Sequence, residues 1–263
     1  MEGLRQAHPS ELWREVREGR FRETTAGLCA GYAQANLVML PKALAFDFLL
    51  FCQRNPKPCP VLDVTDPGSY RPALAAPEGD VRTDTPGYRV YRSGKLVDEP
   101  ENLLSYWRDD LVAFLLGCSF TFEQALLEND IPVRHIEENV TVPMYITKRE
   151  CVPAGIFHGP LVVTMRPIPQ EKVVRAVQVT SRFPAVHGAP VHIGDPEALG
   201  IKDLARPSFG DAVTVKQGEV PVFWACGVTP QAVAMRAHPE LMITHTPGKM
   251  FVTTLKEEHL GVI

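Results

Sequence analysis

Arg182, His187, His192 and Asp195 fall within one short stretch, QVTSRFPAVHGAPVHIGD (Gln178–Asp195), punctuated by Pro184, Gly188, Pro190 and Gly194. Prolines fix φ and remove N–H donors, and glycines admit left-handed backbone, so the stretch predicts a rigid irregular loop carrying polar side chains. A guanidinium presents a planar fork to a carboxylate, and an unperturbed imidazole titrates at about 6.5. Together they suit binding of a small carboxylate with proton transfer beside it. Arg182 is the first candidate anchor and Arg82, in VRTD, the second; either could instead be spent on a nearby aspartate. His187 and His192 are candidate proton carriers, with His187 favoured because Gly188 leaves its surroundings open, and His245 in THTPG is a third. Each could equally pin its loop on backbone carbonyls.

Cys118 and Ser119 lie between an apolar run and a helix whose start is marked by Thr121 and Gln124 in capping-box spacing. Unpaired N–H groups there favour an anion, so the pair predicts an oxyanion or carboxylate cradle. The same setting would depress a thiol pKa, which leaves Cys118 open as a nucleophile or as a small packing residue. Glu123 is either a base or a first-turn acid. Cys226-Gly227 followed by Thr229-Pro230 repeats the pattern, and places Gly227 and Thr229 at the same crevice, with Thr229 doubling as a helix N-cap. HGAPVH spaces two histidines by five, but HExxH and paired cysteines do not occur, and neither do GxxxxGK[ST] or GxGxxG. The expectation is chemistry with no metal and no cofactor.

These residues need elements to hold them. The 263 residues are 45% hydrophobic and 22% charged, with net charge −4. That is ordinary globular composition, and it gives no basic footprint for nucleic acid. The first residues are charged and no apolar run reaches the roughly 20 residues of a membrane span, so a soluble, cytoplasmic protein is expected. Six scattered cysteines read as reduced thiols, and the 24 prolines mark many defined turns. A charged amphipathic helix is predicted from Ser10 to about Arg20. AGYAQANLVMLP reads as an apolar helix stopped by Pro41, and KALAFDFLLFCQRNP as a buried one. Strands are predicted at Val61–Val64, Val140–Thr147, Gly159–Pro169 and EVPVFWACG, with a hairpin tipped by Ser93-Gly94 and a helix over Gln170–Val179. QAVAMRAHP is the last helix and LMITHTPGKMFVTT a turn and final strand. The alternation indicates an α/β layer fold whose middle third forms a smaller α+β unit.

The runs CAGYAQANLVMLP, FDFLLFCQRNPKPCPVLDV, LVAFLLGCSFTFEQAL, QVTSRFPAVHGAPVHIGDP, VFWACGVTPQ and ITHTPGKM, taken in order, resemble the hydro-lyase family that includes D-glutamate cyclase. The likeness extends from about Gly19 to Thr253. It implies a lyase that releases water, and in the characterised branch converts D-glutamate to 5-oxo-D-proline. It also implies an α/β fold: a three-layer core, here 1–108 and 187–263, with a two-layer α+β domain inserted at 109–186. Bacterial relatives are cytosolic, and the animal cyclase is longer and mitochondrial; the lack of an Arg/Ser-rich leader favours the former. The ending TTLKEEHLGVI departs from the family's usual acidic residue after the last strand. The partner implied is a small carboxylate or amino acid, with neither nucleic acid nor membrane, and a homo-oligomer is compatible with the sequence. In that chemistry Arg182 anchors a carboxylate, His187 or His192 moves protons, and the Cys118–Ser119 helix start polarises the electrophile. Two other readings stay open: a cysteine-dependent lactam amidohydrolase, and a carboxylate-binding protein without turnover.

Overall fold

The run YAQANLVMLP is the centre of the molecule, and it is a strand. All of its residues but Tyr32 are buried, so it carries no two-residue alternation and the sequence does not distinguish it from a buried helix. The computed structural model describes residues 2–262. In chain order the elements are α1 (Pro9–Arg17), β1 (Tyr32–Pro41), α2 (Lys42–Arg54), β2 (Val61–Val64), β3 (Tyr88–Arg92), β4 (Lys95–Asp98), β5 (Leu111–Gly117), α3 (Phe120–Leu127) and α4 (Arg134–Glu137). There follow β6 (Met144–Glu150), β7 (Pro160–Pro169), α5 (Val173–Ser181), β8 (His192–Ile193), β9 (Glu219–Ala225), α6 (Val228–Arg236), β10 (Met242–His245), β11 (Phe251–Lys256) and α7 (Glu257–Leu260).

Two sheets result. The larger runs β2-β5-β1-β10-β3-β4, with β11 also paired to β1; the smaller runs β6-β7-β9-β8. In the larger sheet β1 pairs antiparallel with β5 from Ala35↔Gly117 through Pro41↔Leu111, and with β10 at Val38↔Thr244. Its two faces bury different residues. Leu37, Met39, Ala113 and Leu115 pack with Trp13 of α1, whose indole N–H donates to the Val252 carbonyl at 3.0 Å. Val38, Leu40, Phe114 and Leu116 pack with Phe48 and Phe51 of α2 and with Val233 and Ala234 of α6. Each large side chain so buried contributes about 1.5–3 kcal/mol, which is what fixes helices on both faces and makes three layers.

On the smaller sheet, Ile168, Val222 and Trp224 receive Phe122 and Leu126 of α3 and Ala176 and Val179 of α5. The other face holds Val163, Met165 and Phe223 under Leu199 and Ile201 of a connecting segment. The class is α/β, as expected, with two sheets. β5, ending at Gly117, belongs to the larger sheet, and β8 and β9, ending at Ala225, to the smaller. Leu111–Gly117 is fully buried and completes the core beside β1, so the chain leaves that sheet only after Gly117. Gln178–Ser181 is also the last turn of α5, so the irregular segment starts at Arg182. The Ser93-Gly94 hairpin tip is present, with positive φ at both residues.

Candidate functional site

The chain passes between sheets at two turns, Gly117-Cys118-Ser119 leading into α3 and Cys226-Gly227 leading into α6. Asn36 of β1 lies between them. Its Nδ2 donates to the Gly117 carbonyl at 3.1 Å, and a Cβ on Gly227 would sit 2.2 Å from the same nitrogen. Glycine is needed at 117 as well, where a Cβ would meet the Ala185 carbonyl oxygen at 2.4 Å and Val186 Cγ1 at 2.8 Å. The turn Pro184–Val186 is thereby pressed onto the end of β5, and delivers His187 in a left-handed conformation, φ 81°. Such backbone in a non-glycine residue costs about 1–3 kcal/mol and persists where the surroundings hold it.

His187 is 1% exposed. Its Nδ1 lies 2.8 Å from the Lys57 carbonyl, an acceptor, so Nδ1 carries the proton and Nε2 is bare. Nε2 is buried with no hydrogen bond of normal geometry, and the Gly117 backbone at the end of β5 lies close to the ring. Burial pushes this imidazole down to about 4, with the charges of Arg166 and Lys57 acting the same way, so the ring is neutral at pH 7.

Beside it, Arg166 of β7 is wholly buried. One terminal nitrogen donates to Ser119 Oγ at 3.1 Å and is ion-paired with Glu123; the other donates to Thr164 Oγ1 at 3.1 Å. Glu123 also meets His135 Nε2 at 3.2 Å. Burial acts to raise the Glu123 carboxyl, but Arg166 and His135 hold it below the usual carboxylate range. The guanidinium lies 5.3 Å from the Phe122 ring and 5.5 Å from that of Trp224, and its Nε has no partner. A buried, paired guanidinium with one N–H unused, next to a bare imidazole nitrogen, is equipped to take an anion and a proton side by side.

The expected residues are distributed unevenly about this centre. Cys118, Ser119, His187 and Gly227 belong to it. The Cys118 thiol is pushed up to about 12 by burial, with Cys226 and Glu123 nearby, so the expected depression at the helix start does not occur. Ser119 is the residue before α3 and caps nothing with its side chain; the Thr121–Gln124 capping box is absent, because the helix begins earlier, at Phe120. Thr229 lies in the first turn of α6 behind the capping residue Gly227, and its hydroxyl is occupied, accepting from Val162 N at 2.9 Å and donating to Val162 O at 3.1 Å. His245 is buried near Asn36, but its Nδ1 accepts from Leu37 N at 3.1 Å and is approached by Gln231 Nε2 at 3.0 Å.

Three candidates fall elsewhere. His192 Nε2 contacts the Asp195 carbonyl at 2.6 Å and pins its loop. Arg82 binds Asp80 through Nε at 2.9 Å and Nη2 at 2.7 Å, 3.5 Å above the Tyr70 ring. Arg182 lines a cavity with Glu128 and Asn129, which follow the C-terminal end of α3, about 14 Å by helix rise from Ser119. It and His187 do not share a pocket. Sequence reasoning missed Arg166, His135 and the role of Asn36; a single charge inside the apolar run LVVTMRPIP was the available signal, since an arginine buried in a strand must be paired.

A turn-borne neutral histidine and a buried arginine–carboxylate–histidine network, where two sheets meet, form a buried polar centre in an α/β protein. The family model "D-glutamate cyclase" matches residues 112–254, which include every member of that centre except Asn36. Relatives named "Putative hydro-lyase" are 65% identical in Bacillus licheniformis over 99% of both chains, 69% in Thermoanaerobacter sp. over 96% of both, and 62% in Bacillus subtilis over 97% of this chain and 99% of the other. The chain belongs to the D-glutamate cyclase family, a family of enzymes. A nitrogen repressor-like protein from Methanococcus jannaschii aligns over 88% of this chain at TM-score 0.39 and 11% identity, too remote to inform the site. Among the described residues, no helix is long and apolar enough to cross a membrane, and no group of three or more His, Cys, Asp or Glu side chains is arranged to hold a metal ion.

Proposed function

We propose that this chain is a carbon–oxygen lyase that removes water from a small carboxylate or amino acid, with conversion of D-glutamate to 5-oxo-D-proline as the leading reaction. The observation that carries the reading is the pair of unpartnered buried nitrogens, His187 Nε2 and Arg166 Nε, at the start of α3. Family membership supplies the reaction class.

In this reaction the substrate ammonium gives a proton to His187 Nε2, and the freed amine attacks the γ-carboxyl carbon. The new C–N bond places negative charge on the carboxyl oxygens, which the Arg166 guanidinium and the Ser119 hydroxyl stabilise. The tetrahedral centre collapses with loss of one oxygen, which takes both protons shed by nitrogen and departs as water. His187 carries them. An arriving carboxylate supplies the negative charge that the resting imidazole lacks, raising its proton affinity when substrate is bound. Glu123 and His135 position Arg166. The high thiol pKa of Cys118 argues against the lactam amidohydrolase reading.

The test is incubation of purified protein with D-glutamate, L-glutamate and 5-oxoproline at millimolar levels, following 5-oxoproline and glutamate by chromatography. Wild type forms 5-oxoproline from D-glutamate and His187→Asn does not. No interconversion by wild type of any of these, nor hydration of related unsaturated acids, overturns the lyase reading; binding without turnover would make the chain a carboxylate-binding protein.

A further inference from the structure

The far end of α3 opens onto a cavity of about 560 Å³, within the roughly 300–1,000 Å³ of small-molecule sites. Its lining carries both signs of charge. Arg175, Gln178 and Arg182 project from α5 and its end, with the two arginines seven positions apart and so on one side of the helix. Arg175 is held by Asn129 Oδ1, 3.0 Å from its Nε. Arg182 donates, among the described residues, through Nε alone, at 3.4 Å to the Val262 carbonyl. Glu128 and Glu258 line the same cavity. Glu257 is pushed up to about 7 by burial and by the charge of Glu128, so the acidic groups are short of a cation.

We propose that this cavity is a second small-molecule site, separate from the His187–Arg166 centre, that takes an amino acid as its zwitterion, carboxylate on Arg182 and ammonium against Glu128 and Glu258. Size excludes a nucleotide-sized ligand less strongly than charge does: a polyanion would meet the two glutamates, whereas a zwitterion answers both signs of charge. The site is mechanically joined to the first. Helix α3 carries Glu128 just past one end and Ser119 just before the other, with Glu123 between, and Arg182 precedes His187 by one short turn. Occupancy therefore orders both segments that present the catalytic-type groups.

Equilibrium dialysis with glutamate of each hand, and with glutarate, which lacks the ammonium, tests this without reference to turnover. Performed on His187→Asn, to suppress conversion, it is compared with His187→Asn/Arg182→Gln and His187→Asn/Glu128→Gln, circular dichroism confirming that each is folded. Arg182→Gln should remove one equivalent of bound glutamate or weaken it at least 10-fold. Glutarate should bind that equivalent at least 10-fold more weakly than glutamate, and Glu128→Gln should erase the difference. Unchanged stoichiometry and affinity in the folded Arg182→Gln protein, or no binding at all to His187→Asn, overturns the proposal. Failure of the lyase reading shows separately, as absence of 5-oxoproline from wild type.

Discussion

The two turns by which the chain changes sheets read alike in sequence, each a buried strand, a cysteine beside a glycine, and a helix, yet they are finished differently. At Cys226-Gly227 the polar groups are consumed: Thr229 exchanges two hydrogen bonds with Val162, and the nearby His245 has its Nδ1 engaged by Leu37 and Gln231. At Gly117–Ser119 they are held open, with Arg166 Nε and His187 Nε2 both buried and unpartnered. A buried polar atom without a partner costs about 1–3 kcal/mol, and a fold tolerates that cost where a ligand is to supply the missing contact. The same strand–turn–helix device thus makes a joint at one crossing and a candidate site at the other.

Removing the charge that distinguishes the open crossing should have the largest effect. Arg166→Met leaves Glu123 buried with only His135, and should cost about 3–5 kcal/mol in urea unfolding, as for other broken buried pairs. Arg166→Met/Glu123→Leu should recover much of that, because removing both partners leaves no orphan charge. A single-mutant loss under about 1 kcal/mol would show that the network is not structural support for the site.

The two buried imidazoles sharpen the contrast by pH. Both are depressed from 6.5 to about 4 by burial, so the fold accommodates only the neutral rings. Protonation then favours the unfolded chain: stability is complete above about 6.5, falls as pH drops through the window down to about 4, and stops changing on this account below it. Each ring should contribute on the order of 3 kcal/mol across that window, from about 1.4 kcal/mol per unit. His187→Asn and His245→Asn should each flatten the dependence by a similar share. Only His187→Asn should also reduce turnover, by at least about 100-fold. Equal activity loss in both would erase the functional difference between the crossings.

How far this was legible beforehand depends on the residue. The apolar runs of α2, β7 and β9 and the turns with Gly and Pro declared themselves, because length, composition and punctuation act locally. β1 did not: buried on both faces, it shows no period, and its strand character comes from pairing with β5, β10 and β11 far along the chain. Cys118, Ser119, His187 and Gly227 were recognisable from the local chemistry of turns and helix starts. Arg166 was marked locally only by being the one charge in the run LVVTMRPIP, and its partner Glu123, 43 residues away, could not be read from the sequence. Arg182 stands apart from His187, since proximity in sequence does not survive the last turn of α5 and the turn at Pro184–Val186.

Steric tests separate the crossings next. Gly117→Ala drives a Cβ to within 2.4 Å of backbone at Ala185, which can yield only if the turn carrying His187 moves, at about 1–3 kcal/mol. Gly227→Ala meets instead the tip of the Asn36 side chain at 2.2 Å, which can swing aside at the loss of its bond to Gly117, about 1 kcal/mol. Asn36→Ala should therefore rescue the packing of Gly227→Ala and leave Gly117→Ala unrelieved, as read by thermal unfolding of the double variants. Rescue of both would mean that the two turns are coupled through Asn36 alone.

The smallest effect is expected at the closed crossing itself. Thr229→Val keeps the shape of the side chain but deletes both hydrogen bonds to Val162, leaving the buried Val162 N–H without a partner while the Val162 carbonyl keeps the bond from Cys226 N at 3.0 Å. About 1–2 kcal/mol of stability should be lost, with turnover per folded molecule unchanged, because the hydroxyl faces β7 and its only proton is given to the Val162 carbonyl. If turnover falls together with stability, then α6 transmits strain to the centre through Cys226 and Gly227, and the two crossings would have to be regarded as one site.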